Sequence, residues 1–463
     1  MLRRLALALT LATTPPAWAQ EMPASASGLL DVYRQALEHD ASLAAAQADY
    51  LARREAVPQA RAALLPSLSA GASLSDTRST LDSPALTRSR SGLLYQASLS
   101  QPLFRADRWF GLQAAEALGE QAALEFSAAR QALILDSAEA YFAVLRSRDA
   151  LAAARAEEAA YQRQLDEARE RFEIGLAERT GLLEARAAFD NARASRIGAE
   201  QRLEDARQAL ATLTQREHPA LPGLRHDLPA LPPQPNDAQA WVEGALRQNL
   251  ELQASRFAVE AAGQRVRQRR ADHAPSLDAV AGYQRGDNDS LGFVNGNSGQ
   301  PRYAGTAEQH SLSLQLNIPL YSGGLTGSQV REASQRLIQS QQQHEALQRR
   351  IVEDTRRLHR AVNTAIARIE ARRQAIRSSR SALEATEAGY RLGTRNAIDV
   401  LNAQRQLYAS VRDYNEARYD HLLDTLRLQR AAGTLSPADL HALDSFLLAG
   451  YREERDFLPE ERL

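Results

Sequence analysis

The sequence contains no cysteine. That excludes disulfides, thiol nucleophiles, zinc–thiolate centres and a cysteine lipid anchor. It also contains no lysine, because all 56 basic residues are arginine. P-loop, Schiff-base and kinase lysines are therefore excluded together. Methionine is confined to Met1 and Met22, and the nine histidines (39, 218, 226, 273, 310, 344, 359, 421 and 441) are scattered, none at HExxH spacing. Neither a metal site nor a cofactor is expected. Asp287-Asn288-Asp289-Ser290 lacks the rest of a calcium loop and reads as solvent-facing loop. A formal charge of −1 over 463 residues leaves no basic excess for nucleic acid. With no nucleophile–base motif and no glycine-rich phosphate loop, no catalysis is expected. Long hydrophobic runs are missing too: nothing approaches the 18 consecutive apolar residues of a spanning helix. Membrane passage, if any, must be by β-barrel.

What is present begins with an export signal. Arg3 and Arg4 precede the apolar run Leu5–Ala12, and Ala17-Trp18-Ala19 supplies a cleavage pattern, so residues 1–19 read as a signal peptide. The remainder is written twice. Ala36–Leu43 resembles Ala245–Leu252, and Pro66-Ser67-Leu68 recurs as Pro275-Ser276-Leu277. Pro102-Leu103-Phe104 matches Pro319-Leu320-Tyr321, and Phe172–Gly175 matches Tyr390–Gly393. Four matches in order mark a duplicated unit. Copy one takes residues 20–217 and copy two takes 237–445, with a tail at 446–463. Between the copies, 218–236 holds six prolines and reads as an extended, helix-free linker.

Each copy opens with a helical segment, Leu29–Val57 or Ala238–Ala271. Two segments of period two follow, separated by polar loops at Asp76–Ser91 and Arg285–Gln309. They form β-hairpins at 67–101 and 276–318. Leu312, Leu314, Leu316 and Ile318 alternate with polar residues, giving one apolar and one polar face. Glycine and proline then vanish from 120–174 and 328–388, which step apolar residues by three and four. Those stretches predict helices roughly 80–90 Å long. Helices of that length outside a membrane pair as coiled coils. Each turns at a glycine, Gly175 or Gly393, and a second helix returns. The fold class is α+β, mostly α. Four amphipathic strands cannot close a membrane barrel, whose smallest form has about eight. Either several chains pool their strands, or the strands form a soluble sheet capping a coiled coil.

The signal peptide, this duplicated plan, Pro66, Pro275, Tyr321-Ser322-Gly323-Gly324 and above all Gly389-Tyr390-Arg391-Leu392-Gly393-Thr394-Arg395-Asn396-Ala397-Ile398-Asp399-Val400-Leu401 resemble the TolC family of outer-membrane exit ducts. The resemblance covers about residues 28–445. It implies a homotrimer with a 12-stranded β-barrel in outer-membrane lipid and a periplasmic α-helical tube. It also implies a periplasmic adaptor and an inner-membrane ABC exporter or proton-driven drug pump as partners. Two acids one turn apart ring the family's periplasmic constriction. They fall on Asp399, which matches, and Asn402, which does not. Apart from the resemblance, Asp399 reads as an acid favoured at a helix start. The gate-locking links fall on Tyr390, Arg395 and Thr180, with Gly181 where an aspartate is expected; Glu178 or Glu184 are the candidate substitutes. The adaptor-docking tips fall on Gly175, Leu176, Gly393 and Thr394. The rival reading is a periplasmic coiled-coil adaptor or scaffold without a pore.

Overall fold

The computed structural model describes residues 28–452, except 84, 176–177, 288–305 and 449. The signal peptide and Asn288-Asp289-Ser290 lie outside the described residues.

Copy one runs α1 (Leu29–His39), α2 (Ala41–Arg54), α3 (Ala56–Ala62), β1 (Ser67–Asp82), β2 (Ala85–Phe104), α4 (Ala106–Glu173) and α5 (Arg179–Thr214). The short strand β3 (Gly223–Leu224) lies in the linker. Copy two runs α6 (Ala238–Gln248), α7 (Leu250–Ala271), β4 (Ser276–Asp287), β5 (Thr306–Asn317), α8 (Leu325–Arg391), α9 (Ala397–Ala432), α10 (Pro437–Asp444) and β6 (Leu447–Leu448).

The opening helical segment is not one helix but three in copy one (α1, α2 and α3) and two in copy two (α6 and α7). Asp40 accepts a bond from the Leu43 amide at 2.6 Å, and Asn249 accepts one from Leu252 at 2.9 Å. Each is an N-cap that starts a new helix. The two positions are 209 apart, so the first sequence match between the copies is a duplicated cap. The long helices exceed the expectation, at 68 and 67 residues. A rise of 1.5 Å per residue makes each about 100 Å long. They start earlier because helix runs on through Gly111, Gly119 and Gly327. A Cβ at Gly111 would stand 3.2 Å from the Gln268 Nε2, and one at Gly119 3.4 Å from Val57. Neighbouring helices approach there, so glycine is accommodated rather than breaking the turn.

The strands form one antiparallel sheet in the order β1-β2-β4-β5. Ser67 pairs with Ser100 at one end of the first hairpin and Asp82 with Ala85 at the other. The expected loop at Asp76–Ser91 is therefore mostly strand. Its serines, threonines and arginines carry no apolar alternation in the sequence. In the second hairpin β4 ends at Asp287 and β5 begins at Thr306.

The largest core lies where α1, α4, α5 and α9 meet, around Tyr141, Phe142, Leu145, Leu210 and Tyr419. The 3–4 spacing on α9 buries Leu407, Val411 and Tyr414 against Ile369 and Ile376 of α8. The linker is helix-free but pinned: the Tyr141 hydroxyl donates to the Pro222 carbonyl at 2.8 Å, and Arg148 to Leu221 at 2.8 Å. The start of the tail is not loose either, since β6 pairs with β3.

Candidate channel and gate

Strand register sorts the side chains into two faces. Leu99 stands opposite Ala281 and Leu68, Ala281 opposite Leu312, and Leu277 opposite Leu316. Leu68, Leu74, Leu312, Leu314, Leu316 and Ile318 are 51–83% exposed. The opposite face carries Ser67, Ser69, Gln96, Ser98, Ser311, Ser313, Gln315 and Asn317. From Leu277 to Arg285 is eight positions. At about 3.3 Å each that is a band of about 26 Å, the height of a membrane barrel's apolar girdle. An Arg285–Glu308 pair at 3.4 Å stands at its upper edge. At the lower edge, on the polar face, Arg105 grips Asp278 with both nitrogens, at 3.1 and 2.8 Å. That bond raises the Arg105 pKa further and ties the end of β2 to the start of β4. β1 and β5 each keep one edge without a strand partner among the described residues.

At the far end of the tube, α8 closes with Gly393 at φ +74 and α4 with Gly175 at φ +76. Such conformations suit glycine. The Thr394 amide and hydroxyl both bond the Gly389 carbonyl, at 2.9 and 3.1 Å. A Cβ at Gly389 would lie 2.8 Å from the Arg395 Cγ, so this turn is tight. Leu176 lies outside the described residues.

Asp399 is the third residue of a capping box: its amide donates to the Asn396 Oδ1 at 2.9 Å, and its carboxylate accepts from the Asn396 amide at 3.3 Å. Arg395 stands 3.8 Å from the same carboxylate. Asn402 is exposed one turn further along α9. Tyr390 does not face a carboxylate of the copy-one return helix. Its ring lies 4.5 Å beneath the Arg171 guanidinium of α4. Burial pushes its pKa up. Thr180 donates to Glu178 at 3.3 Å, and nothing lies within 4 Å of a Cβ built on Gly181.

Sequence reasoning missed a buried cluster halfway along the tube. Asp149 of α4 accepts from Tyr419 of α9 at 2.7 Å and from Tyr451 of the tail at 2.6 Å. The Arg148 guanidinium lies 4.6 Å above the Tyr451 ring, and Arg418 bonds the Leu224 and Arg225 carbonyls. Burial raises the Asp149 pKa, opposed by the two phenols and the two arginines. No local signal announces a site whose members span 302 positions. Among the described residues no group of three or more His, Cys, Asp or Glu side chains is placed to hold a metal.

Residues 32–215 and 241–434, one stretch in each copy, match the outer membrane efflux protein family. The outer membrane protein TolC of Vibrio cholerae is 36% identical over 415 residues, covering 90% of this chain and 92% of that protein. The alkaline protease secretion protein AprF of Pseudomonas aeruginosa is 32% identical, covering 92% of this chain and 89% of that protein. The solved structure of the outer membrane protein VceC from Vibrio cholerae superimposes with a TM-score of 0.75 at 20% identity, covering 88% of this chain and 96% of that one.

Proposed function

Because the chain belongs to the outer membrane efflux protein family, we infer that three copies of it assemble into one passive export duct. The chain is an outer-membrane protein and not an enzyme. The observation that carries the assembly is the open sheet: among the described residues it has four strands, one apolar face of membrane height, and two free edges. Free edges are not tolerated in lipid. Pairing β1 of one copy with β5 of the next removes them, and three copies give twelve strands, above the minimum of about eight. Leu312, Leu314, Leu316 and Ile318 then face lipid, and the serine-rich face lines water. The helical hairpins continue the bore across the periplasm.

The names of the family and its relatives cover both efflux and protease secretion. The partners that fit are a periplasmic adaptor at the tips, around Gly175, Leu176, Gly393 and Thr394, and an inner-membrane ABC exporter or proton-driven pump that supplies the energy. Three Asp399 carboxylates ring the closed mouth, since a threefold assembly gathers their fields on one axis. With asparagine at 402 the mouth carries one ring of acids, not two. Tyr390 holds the two hairpins together through Arg171, in place of the missing carboxylate at Gly181. Docking opens the mouth by separating that contact.

Single-channel recording of the purified protein in a planar bilayer tests this reading. Discrete, cation-preferring conductance from a species of three chains is expected. A monomer by light scattering in detergent, or a bilayer that stays silent, would return the chain to the class of pore-free scaffolds.

A further inference from the structure

Strands and helices meet in a narrow collar whose charge differs from the rest of the chain. Residues 53–66, 101–112, 264–278 and 319–332 hold ten arginines against five acids, whereas the whole chain carries −1. Three of those acids are already committed: Asp278 to Arg105, Asp272 to Arg269 and Glu332 to Arg336. Arg54, Arg61, Arg265, Arg267, Arg270 and Arg331 are exposed with no carboxylate partner among the described residues. The same collar exposes Leu320 (91%), Tyr321 (89%), Leu325 (59%), Trp109 (54%) and Phe104 (52%).

Arg61 and Arg270 are equivalent. They lie 209 positions apart, the offset of the duplicated caps, and each stands six residues before a strand, β1 or β4. A trimer sets six such side chains around the barrel's periplasmic rim. On α7 the arginines fall on two faces. Arg265 and Arg269 share one, and Arg267 and Arg270 share another, about 150° away at 3.6 residues per turn. The first pair opens onto a polar groove of about 740 Å³ that Gln121, Gln268, Gln329 and Glu332 also line. That composition suits the water-filled side of the wall. The second pair is left for the outer side, level with the exposed aromatics.

We propose that Arg61 and Arg270, with Arg267 beside them, bind the headgroup phosphates of anionic phospholipid in the leaflet that meets the barrel's periplasmic rim. Arginine reaches headgroups with its stem along apolar surface, and aromatic side chains settle at the same boundary. This rests on the barrel assembly inferred above. Each arginine near an anionic surface favours it roughly fivefold.

Native mass spectrometry of the detergent-purified trimer, offered phosphatidylglycerol and phosphatidylcholine in equal amounts, tests it. Phosphatidylglycerol should be retained at least roughly fivefold over phosphatidylcholine. Inorganic phosphate at the same concentration should not displace it. Arg61→Gln, Arg267→Gln and Arg270→Gln together should bring the preference close to one, whereas Arg265→Gln with Arg269→Gln should leave it. If the triple variant does not trimerise, Arg270→Gln alone is scored and should roughly halve the preference at least. Equal retention of the two lipids by the wild type, loss of preference with Arg265 and Arg269 instead, or displacement by phosphate would each overturn the proposal. Conductance in phosphatidylcholine separates the two readings. A trimer that conducts without lipid preference refutes the collar alone, and one that never conducts refutes the duct.

Discussion

Removing the Asp399 carboxylate separates two roles that this side chain holds at once. Its capping-box bonds make it a helix-start acid, while a threefold assembly makes it one of three charges around the mouth. The local energetics are small. Loss of a capping interaction costs about 0.5–2 kcal/mol. The Arg395 pair, at 3.8 Å with side chains 60% and 36% exposed, is screened and contributes about 0.2–1 kcal/mol. Asp399→Ala should therefore cost about 0.7–3 kcal/mol, felt at the tip. Asp399→Asn keeps an acceptor for the Asn396 amide and should cost less. Charge behaves differently: both substitutions remove three carboxylates from the axis, so both should lower cation preference by the same amount. Arg395→Gln supplies the opposite sign, because it removes the cation that offsets each carboxylate, and should raise cation preference. Asn402→Asp adds three acids one turn, about 5 Å, further along and should tighten block by multivalent cations. Reversal potentials in asymmetric salt, paired with thermal unfolding, measure both effects on the same samples. If Asp399→Ala and Asp399→Asn lower stability unequally yet leave the reversal potential at the wild-type value, Asp399 is a helix cap only and the mouth lies elsewhere.

Arginine at Leu314, in the middle of the apolar face, should cost about 2–4 kcal/mol and reduce heat-stable trimer on a gel, whereas Gln315→Arg should assemble and change conductance; equal behaviour would mean the two faces are misassigned. Gly433 caps α9 at φ +78, and a Cβ there would stand 2.3 Å from the Gln248 carbonyl oxygen. Gly433→Ala should therefore lower the unfolding temperature well beyond the ~1 kcal/mol of an ordinary αL penalty, and a near-wild-type melt would contradict the close approach. Burial lowers the pKa of His421, against the nearby Asp424, and that of His218. Each binds protons more readily unfolded, so stability should be full above about pH 6.5 and fall as pH drops below it. His421→Asn should shallow that acid limb in melts between pH 7 and 5, and an unchanged slope would assign it to other groups. Tyr451→Phe should loosen the tail, read as faster proteolysis after Leu448, because Asp149 keeps only its Tyr419 bond.

The duplication, the hairpins, the glycine-turned long helices and the apolar row 312–318 were legible in the sequence because each depends on local periodicity or on residues that only a turn or cap accepts. Asp40 and Asn249 were visible as repeats but not as helix starts, since either residue reads as well inside a polar helix. The hairpin at 76–91 was hidden because its sequence carries no apolar alternation. At the tip, the residues Tyr390, Arg395 and Asp399 were legible from motif, and their partners were not. Tertiary packing gave Tyr390 the α4 residue Arg171 in place of the return helix. The same holds for Arg105–Asp278 and for the Asp149 cluster, whose partners lie far apart in the chain. By itself the sequence determined the duplicated plan, the long helices and the apolar row of β5, because those follow from backbone propensity and side-chain transfer. Only the tertiary structure decided which buried charges meet, because burial and a partner are supplied by how the helices stack.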